Sequence, residues 1–127
     1  VEQGAYGDDP LMKLVVLKWR LRAIANALLD QGVHAAGMTR DEAMELMMEQ
    51  TFQEEREAAG KWTRAQQSSA QLSTYFVGYV EHAAMRSEMQ RRLGKRFDMK
   101  KYHDELLSYG SPPMKYVRAL MLDLPIG

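Results

Sequence analysis

The sequence predicts an all-α protein, an antiparallel array of five or six helices with short connections. Three observations predict it. Met, Leu, Ala, Glu, Gln, Arg and Lys dominate, and all are good helix formers. No stretch alternates apolar and polar residues as a half-buried strand does. Apolar residues instead recur three and four apart, between recognisable helix caps.

The elements follow in order. Asp8 and Asp9 precede Pro10, which suits an N-cap followed by proline in the first turn. Leu11, Leu14, Val15, Leu21, Ile24, Ala25 and Leu28 then repeat at helical spacing, and Gly32 is expected to stop this helix in a left-handed conformation. Thr39 and Glu42 form a capping box for a second helix, with Met44, Met47, Met48 and Thr51 on one face. That helix either ends before Gly60 or continues past it to about Gln67; glycine inside a helix costs about 1 kcal/mol, which weakens continuity without forbidding it. Ser68 and Gln71 repeat the capping-box pattern and open a helix carrying Leu72, Phe76, Tyr79, Val80 and Ala83 on one side, ending near Gly94. Asp98 starts a shorter helix through Tyr102, Leu106 and Leu107, closed by Gly110. Ser111, Pro112 and Pro113 start the last one, with Met114, Val117 and Met121 facing inward and Pro125 as the stop.

Composition narrows the function classes. Apolar residues make up 46% and charged residues 27%, an ordinary globular balance, and the 127 residues are expected to form one domain. Seventeen basic residues offset seventeen acidic ones, so nothing draws the chain generally to nucleic acid or to an anionic membrane. No apolar run approaches the roughly 20 residues that span a bilayer. The absence of cysteine excludes disulfides, thiolate metal sites and a cysteine nucleophile, and leaves the compartment open. Val1 opens the chain in place of methionine, with no basic-then-apolar signal behind it, so a piece of a longer protein is expected.

Candidate chemistry is sparse. A zinc hydrolase needs three protein ligands and an open position, commonly with two histidines four apart on a helix. His34, His82 and His103 are never paired at helical spacing, so no metal ligands are expected within this chain. Glu54, Glu55 and Glu57 suggest a di-metal site only superficially; a solvated face beside Arg56 and Lys61 is the plainer reading. His34 falls in a loop after Gly32, where imidazole can be aimed into a cleft to donate a hydrogen bond or shuttle a proton, or can simply bond a carbonyl. Tyr75 and Tyr79 lie four apart, and a phenol can stabilise an oxyanion. Between them Gly78 is costly in a helix unless something approaches the backbone closely; the alternative is a packed core helix with tyrosines at its edge. Arg64, Arg86 and the Arg91/Arg92 pair can clamp a carboxylate such as a peptide terminus, although most surface arginines do nothing so specific. Met44, Met47, Met48, Met114 and Met121 read as deformable core.

In order, Arg22-Ala23, Asp30-Gln31-Gly32-Val33-His34, Thr39-Arg40-Asp41-Glu42-Ala43, Gln71-Leu72-Ser73-Thr74-Tyr75-Phe76-Val77-Gly78, Leu93-Gly94-Lys95-Arg96-Phe97-Asp98, Tyr102-His103-Asp104 and Gly110-Ser111-Pro112-Pro113 resemble the C-terminal third of the bacterial domain-of-unknown-function family numbered 885. The resemblance implies an all-helical fold like that of zinc-dependent carboxypeptidases, with the metal-binding histidine pair upstream. Glu2-Gln3-Gly4-Ala5-Tyr6 would follow the last acidic helix. By motif position, His34 and Tyr75 correspond to groove-facing catalytic residues, and Arg86, His103 and Tyr79 to substrate-binding positions. No cofactor is then held by this chain itself; zinc is implied for the whole protein. The implied partners are the missing N-terminal part and a peptide-like substrate, without nucleic acid or membrane, and a homo-oligomer stays open. The compartment is bacterial cytoplasm or periplasm. Two departures stand out: the family's usual Pro-Gly-Gln is here Ser69-Ala70-Gln71, and an arginine is usual near Asn26. A free-standing interaction module with a methionine-rich docking surface is the competing function.

Overall fold

The computed structural model describes residues 8–126, and the Glu2–Tyr6 motif lies outside them. Six α-helices and no strand occur among the described residues: α1 (Pro10–Ala35), α2 (Arg40–Glu45), α3 (Glu55–Gln67), α4 (Thr74–Leu93), α5 (Met99–Ser108) and α6 (Met114–Leu122). None is long and apolar enough to cross a membrane. The chain divides into two compact units, one ending at Phe76 and the other beginning at Val77.

In the first unit, Asp9 caps α1 by accepting from the Leu11 and Met12 amides, with Pro10 in the first turn. Gly32 does not end this helix. It stays helical and buried beneath Met38, whose Sδ would lie 2.8 Å from an added Cβ, and the helix runs on to Ala35. The left-handed residue is Gly37, while the Gly32 carbonyl accepts from both Ala36 and Met38 amides. Gly32 therefore serves close approach, and His34 sits in the last helical turn and not in a loop.

The Thr39–Glu42 capping box forms as expected. Its helix then widens into a π-turn over Leu46–Gln50, where the Thr51 hydroxyl donates to the Leu46 and Met47 carbonyls at 3.1 and 3.0 Å. Phe52 takes a left-handed backbone, and α3 begins afresh at Glu55, with Gly60 inside it and open space where its Cβ would be. Leu29, Ala43, Leu46, Met47, Ala58, Ala65 and Leu72 form the core, with Met44, Met48 and Trp62 packed on it.

The Ser68–Gln71 box does not open α4, which starts at Thr74. The intervening amides at Ala70 and Ser73 are taken by a carboxylate from α1, so the chain turns before it coils. In the second unit α4 buries Met85 and Met89, not the side carrying Tyr79 and Val80, because α5 and α6 pack on the methionine side. Phe97, Met99, Tyr102, Leu106, Met114 and Met121 complete this core. Asp98 caps α5, Gly94 and Gly110 are left-handed at the helix ends, and α6 buries Val117. The methionines assigned to core are in the cores. Gly78 has nothing within 4 Å of a Cβ, so among the described residues no close approach explains it.

Two substitutions test this packing by chemical denaturation. Met47→Ala, at a fully buried side chain, should destabilise by about 2–5 kcal/mol. Gly60→Ala, in an open helical position, should stabilise by about 0.4–1 kcal/mol.

Candidate functional site

The most constrained polar group in the first unit is Asp30, a carboxylate only 3% exposed near the end of α1. Oδ1 accepts from the Ala70 amide at 3.0 Å; Oδ2 accepts from the Ser73 amide at 3.1 Å and the Ser73 hydroxyl at 2.7 Å. A buried charge is tolerated only when hydrogen-bonded in this way. Ala70 lies in the left-handed region at φ 64°, where a side chain costs about 1–2 kcal/mol and glycine costs little. The glycine that the resemblance implies in Pro-Gly-Gln would stand at Ala70, where the backbone is of the kind glycine favours.

His34, one turn beyond Asp30, places Nε2 2.8 Å from the Ala65 carbonyl and 3.7 Å from Asp30 Oδ1. Both neighbours are acceptors, so Nε2 carries the proton; in the neutral ring Nδ1 is then a lone-pair acceptor. His34 thus has the carbonyl bond of its plainer reading and keeps a second nitrogen for other work. Tyr75, two residues past Ser73 in the first turn of α4, is 79% exposed. Asp30 therefore fixes both the helix end that bears His34 and the turn that launches Tyr75. The signal for Asp30 in the sequence is its i,i+4 spacing from His34, not any motif of its own.

The second unit gathers Tyr79, Arg86 and His103 in one cleft of about 170 Å³, together with His82 and Tyr102. Tyr79, His82 and Arg86 come from one face of α4, at i, i+3 and i+7, and Tyr102 and His103 come from α5. Burial pushes the Tyr102 phenol up from its ordinary range, and the Arg86 guanidinium partly offsets this. Among the described residues no carboxylate lines the cleft, and an arginine with two histidines suits it to an anionic or hydrogen-bond-accepting group. His82 and Tyr102 were not singled out as site residues. His34 and Tyr75 belong to the first unit and do not line it.

The glutamate face reads differently as well. Glu57 is only part exposed: its Oε1 takes a salt bridge from Arg22 and lies 3.1 Å from Lys61 Nζ. Lys61 also donates to Gln53 Oε1 at 2.5 Å. Burial, reinforced by Arg22 and Arg64, lowers the Lys61 ammonium to about 8 despite the shared Glu57 charge. No three His, Cys, Asp or Glu side chains come together as a metal site among the described residues. The described residues do not fit a zinc ion. Asn26 Oδ1, on α1, is buried without a hydrogen-bond donor among the described residues.

Two sets of measurements follow. Asp30→Ala should cost about 2–3 kcal/mol in urea denaturation, since it strands two amides and a hydroxyl, while Ala70→Gly should add about 1 kcal/mol. Folding penalises charged Lys61, so the unfolded chain holds that proton more tightly. Stability contributed here therefore rises as pH climbs through about 8 towards 10.5. The denaturation midpoint followed from about pH 7 to 9.5 should show that rise, and Lys61→Met should flatten it.

No curated protein matches the chain. A solved structure described as "The structure of a putative lipoprotein of unknown function from Shewanella oneidensis" is similar to it, at 47% identity and a TM-score of 0.92. The likeness covers 95% of this chain but only 22% of that one, so the chain spans about a fifth of the relative's length. A family model matches residues 1–121, and the chain belongs to that family, described as "Bacterial protein of unknown function (DUF885)".

Proposed function

We propose that this chain is the C-terminal helical portion of a metal-dependent peptidase or related hydrolase, supplying the substrate side of a groove and not the metal ligands. The observation that carries the proposal is Asp30. A carboxylate this deeply buried is committed to fixing the mounts of two exposed polar side chains, His34 and Tyr75. Positioning of that kind is what a site needs when its groups must meet a substrate within a fraction of an ångström.

In this reading the Tyr75 phenol donates to the oxyanion of a carbonyl undergoing addition. His34, its Nε2–H held by Ala65, offers Nδ1 as an acceptor for a substrate amide or for a proton leaving the reacting centre. Arg86 supplies the positive charge of the α4–α5 cleft, with His103 and Tyr79 beside it, for a carboxylate of a peptide-like substrate. Zinc, which the resemblance implies for the whole protein, would be held by polypeptide outside the described residues. The lipoprotein description of the Shewanella relative supports a periplasmic location. A methionine-surfaced interaction module has less support, because Met47, Met85 and Met89 are buried and Met44, Met48, Met114 and Met121 pack against the cores.

The test uses the longer protein, with short peptides as substrate. Tyr75→Phe should lower kcat by about 100-fold, and His34→Ala should lower it as well, both at unchanged zinc content. Arg86→Gln should act mainly through KM. Loss of zinc from the His34 or Tyr75 variant would mean that these side chains belong to the metal's own ligand set, and undiminished turnover in all three would remove the proposal.

A further inference from the structure

The least accommodated surface in the first unit lies on α1. Leu14, Leu17, Leu21 and Ile24, with Phe52, line an apolar groove of about 460 Å³ that also takes the stems of two basic residues. Leu14, Leu17 and Phe52 are all at least half exposed. Their spacing is regular: 14, 17, 21, 24 and then the exposed Leu28 step by three and four residues, the a/d pattern of a seam that receives another helix. An apolar stripe of this kind marks an interaction surface more often than bare solvent-facing wall.

Phe52 supplies an independent observation. It takes φ 54°, unfavourable for a bulky side chain, and yet its ring is 67% exposed. The residues on either side are buried and pinned. Thr51 donates to the carbonyls of the preceding turn, the Gln53 amide donates to Met47 O at 2.9 Å, and the Gln53 side chain joins Thr51 and Lys61. This loop is thus held in a strained form that presents an aromatic ring at the groove. Strain and an exposed ring both oppose folding unless something covers the ring.

We infer that this groove seats an apolar-faced helix of the same polypeptide, from outside these 127 residues. The occupant follows from length and register. The similar Shewanella chain is folded as a polypeptide of which this segment matches only 22%, so most of such a chain is available to lie against it. The heptad-like spacing asks for a helix, where a flat apolar surface would not. The inference goes beyond the catalytic reading and stands without it.

The segment holds no cysteine, so once any cysteine elsewhere in the longer protein is replaced by serine, a thiol introduced into the groove reports its own covering. In the longer protein, Leu17→Cys and separately Lys18→Cys would be labelled with a maleimide, native and in denaturant, with circular dichroism confirming the fold. Covered positions should react on the order of a hundredfold more slowly in the native state, at every protein concentration. Native labelling within a few-fold of the denatured rate would overturn the inference by showing an open groove. Protection that disappears on dilution would overturn it in favour of a second copy. The readout needs no activity, so it can succeed where the peptidase reading fails, and the reverse.

Discussion

The carboxylate of Asp30 is buried among backbone donors that no local element could supply. Moving such a group out of water costs several kcal/mol unless its lone pairs are used, and here the amides of Ala70 and Ser73 and the Ser73 hydroxyl use them. Those same amides would otherwise be stranded between α3 and α4. One charge therefore satisfies the turn before α4, anchors that turn to the end of α1, and holds Ala70 in a backbone region that alanine avoids. The penalty at Ala70 is accepted because the surrounding bonds over-determine the turn.

Nearly every helix was legible in the sequence because its caps are local. Asp9 with Pro10, Thr39 with Glu42, and Asp98 act within three or four residues of themselves, and each caps the helix that its pattern announces. What the sequence misled on was long-range. Gly32 looks like a helix stop until Met38 is seen packed over it, and that contact makes His34 a helical residue. Ser68 and Gln71 look like a cap until Asp30 takes the amides from 40 residues away. The buried face of α4 depends on where α5 and α6 land, and helical spacing alone cannot show that. In the α4–α5 cleft, Tyr79, His82 and Arg86 share one face of α4 at a spacing the sequence shows, whereas Tyr102 and His103 of α5 meet them only through packing.

The zero net charge conceals a local asymmetry that matters more than the total. In the second unit Glu88 is held between Arg92 and Arg118, which keep its carboxyl below the ordinary range. Acidic charge is spent there on a structural pair, while the neighbouring cleft is lined by Arg86, His82 and His103 without a carboxylate. In the first unit the balance falls the other way: Glu57 is shared between Arg22 and Lys61, and Lys61 is left easier to deprotonate than an ordinary lysine.

Places where local rules are broken distinguish what this chain settles internally from what it leaves open. Three residues other than glycine adopt positive φ among the described residues: Phe52, Ala70 and Asp123. Asp123 ends α6, where its amide reaches the carbonyls of Ala119 and Leu120 and a short polar side chain tolerates the left-handed form. Ala70 is compensated by Asp30. Phe52 has neither a tolerant side chain nor a burial that rewards its conformation, and its ring stands beside a leucine seam with the spacing of a helix–helix contact. Asn26 Oδ1, buried on α1 without a donor among the described residues, is a second unmet demand. Sequences tend to agree with their folds at every level, and the exceptions concentrate where another part of the structure contributes. The stripe on α1 is apolar and periodic, and such a surface calls for packing against a helix more than for a small ligand.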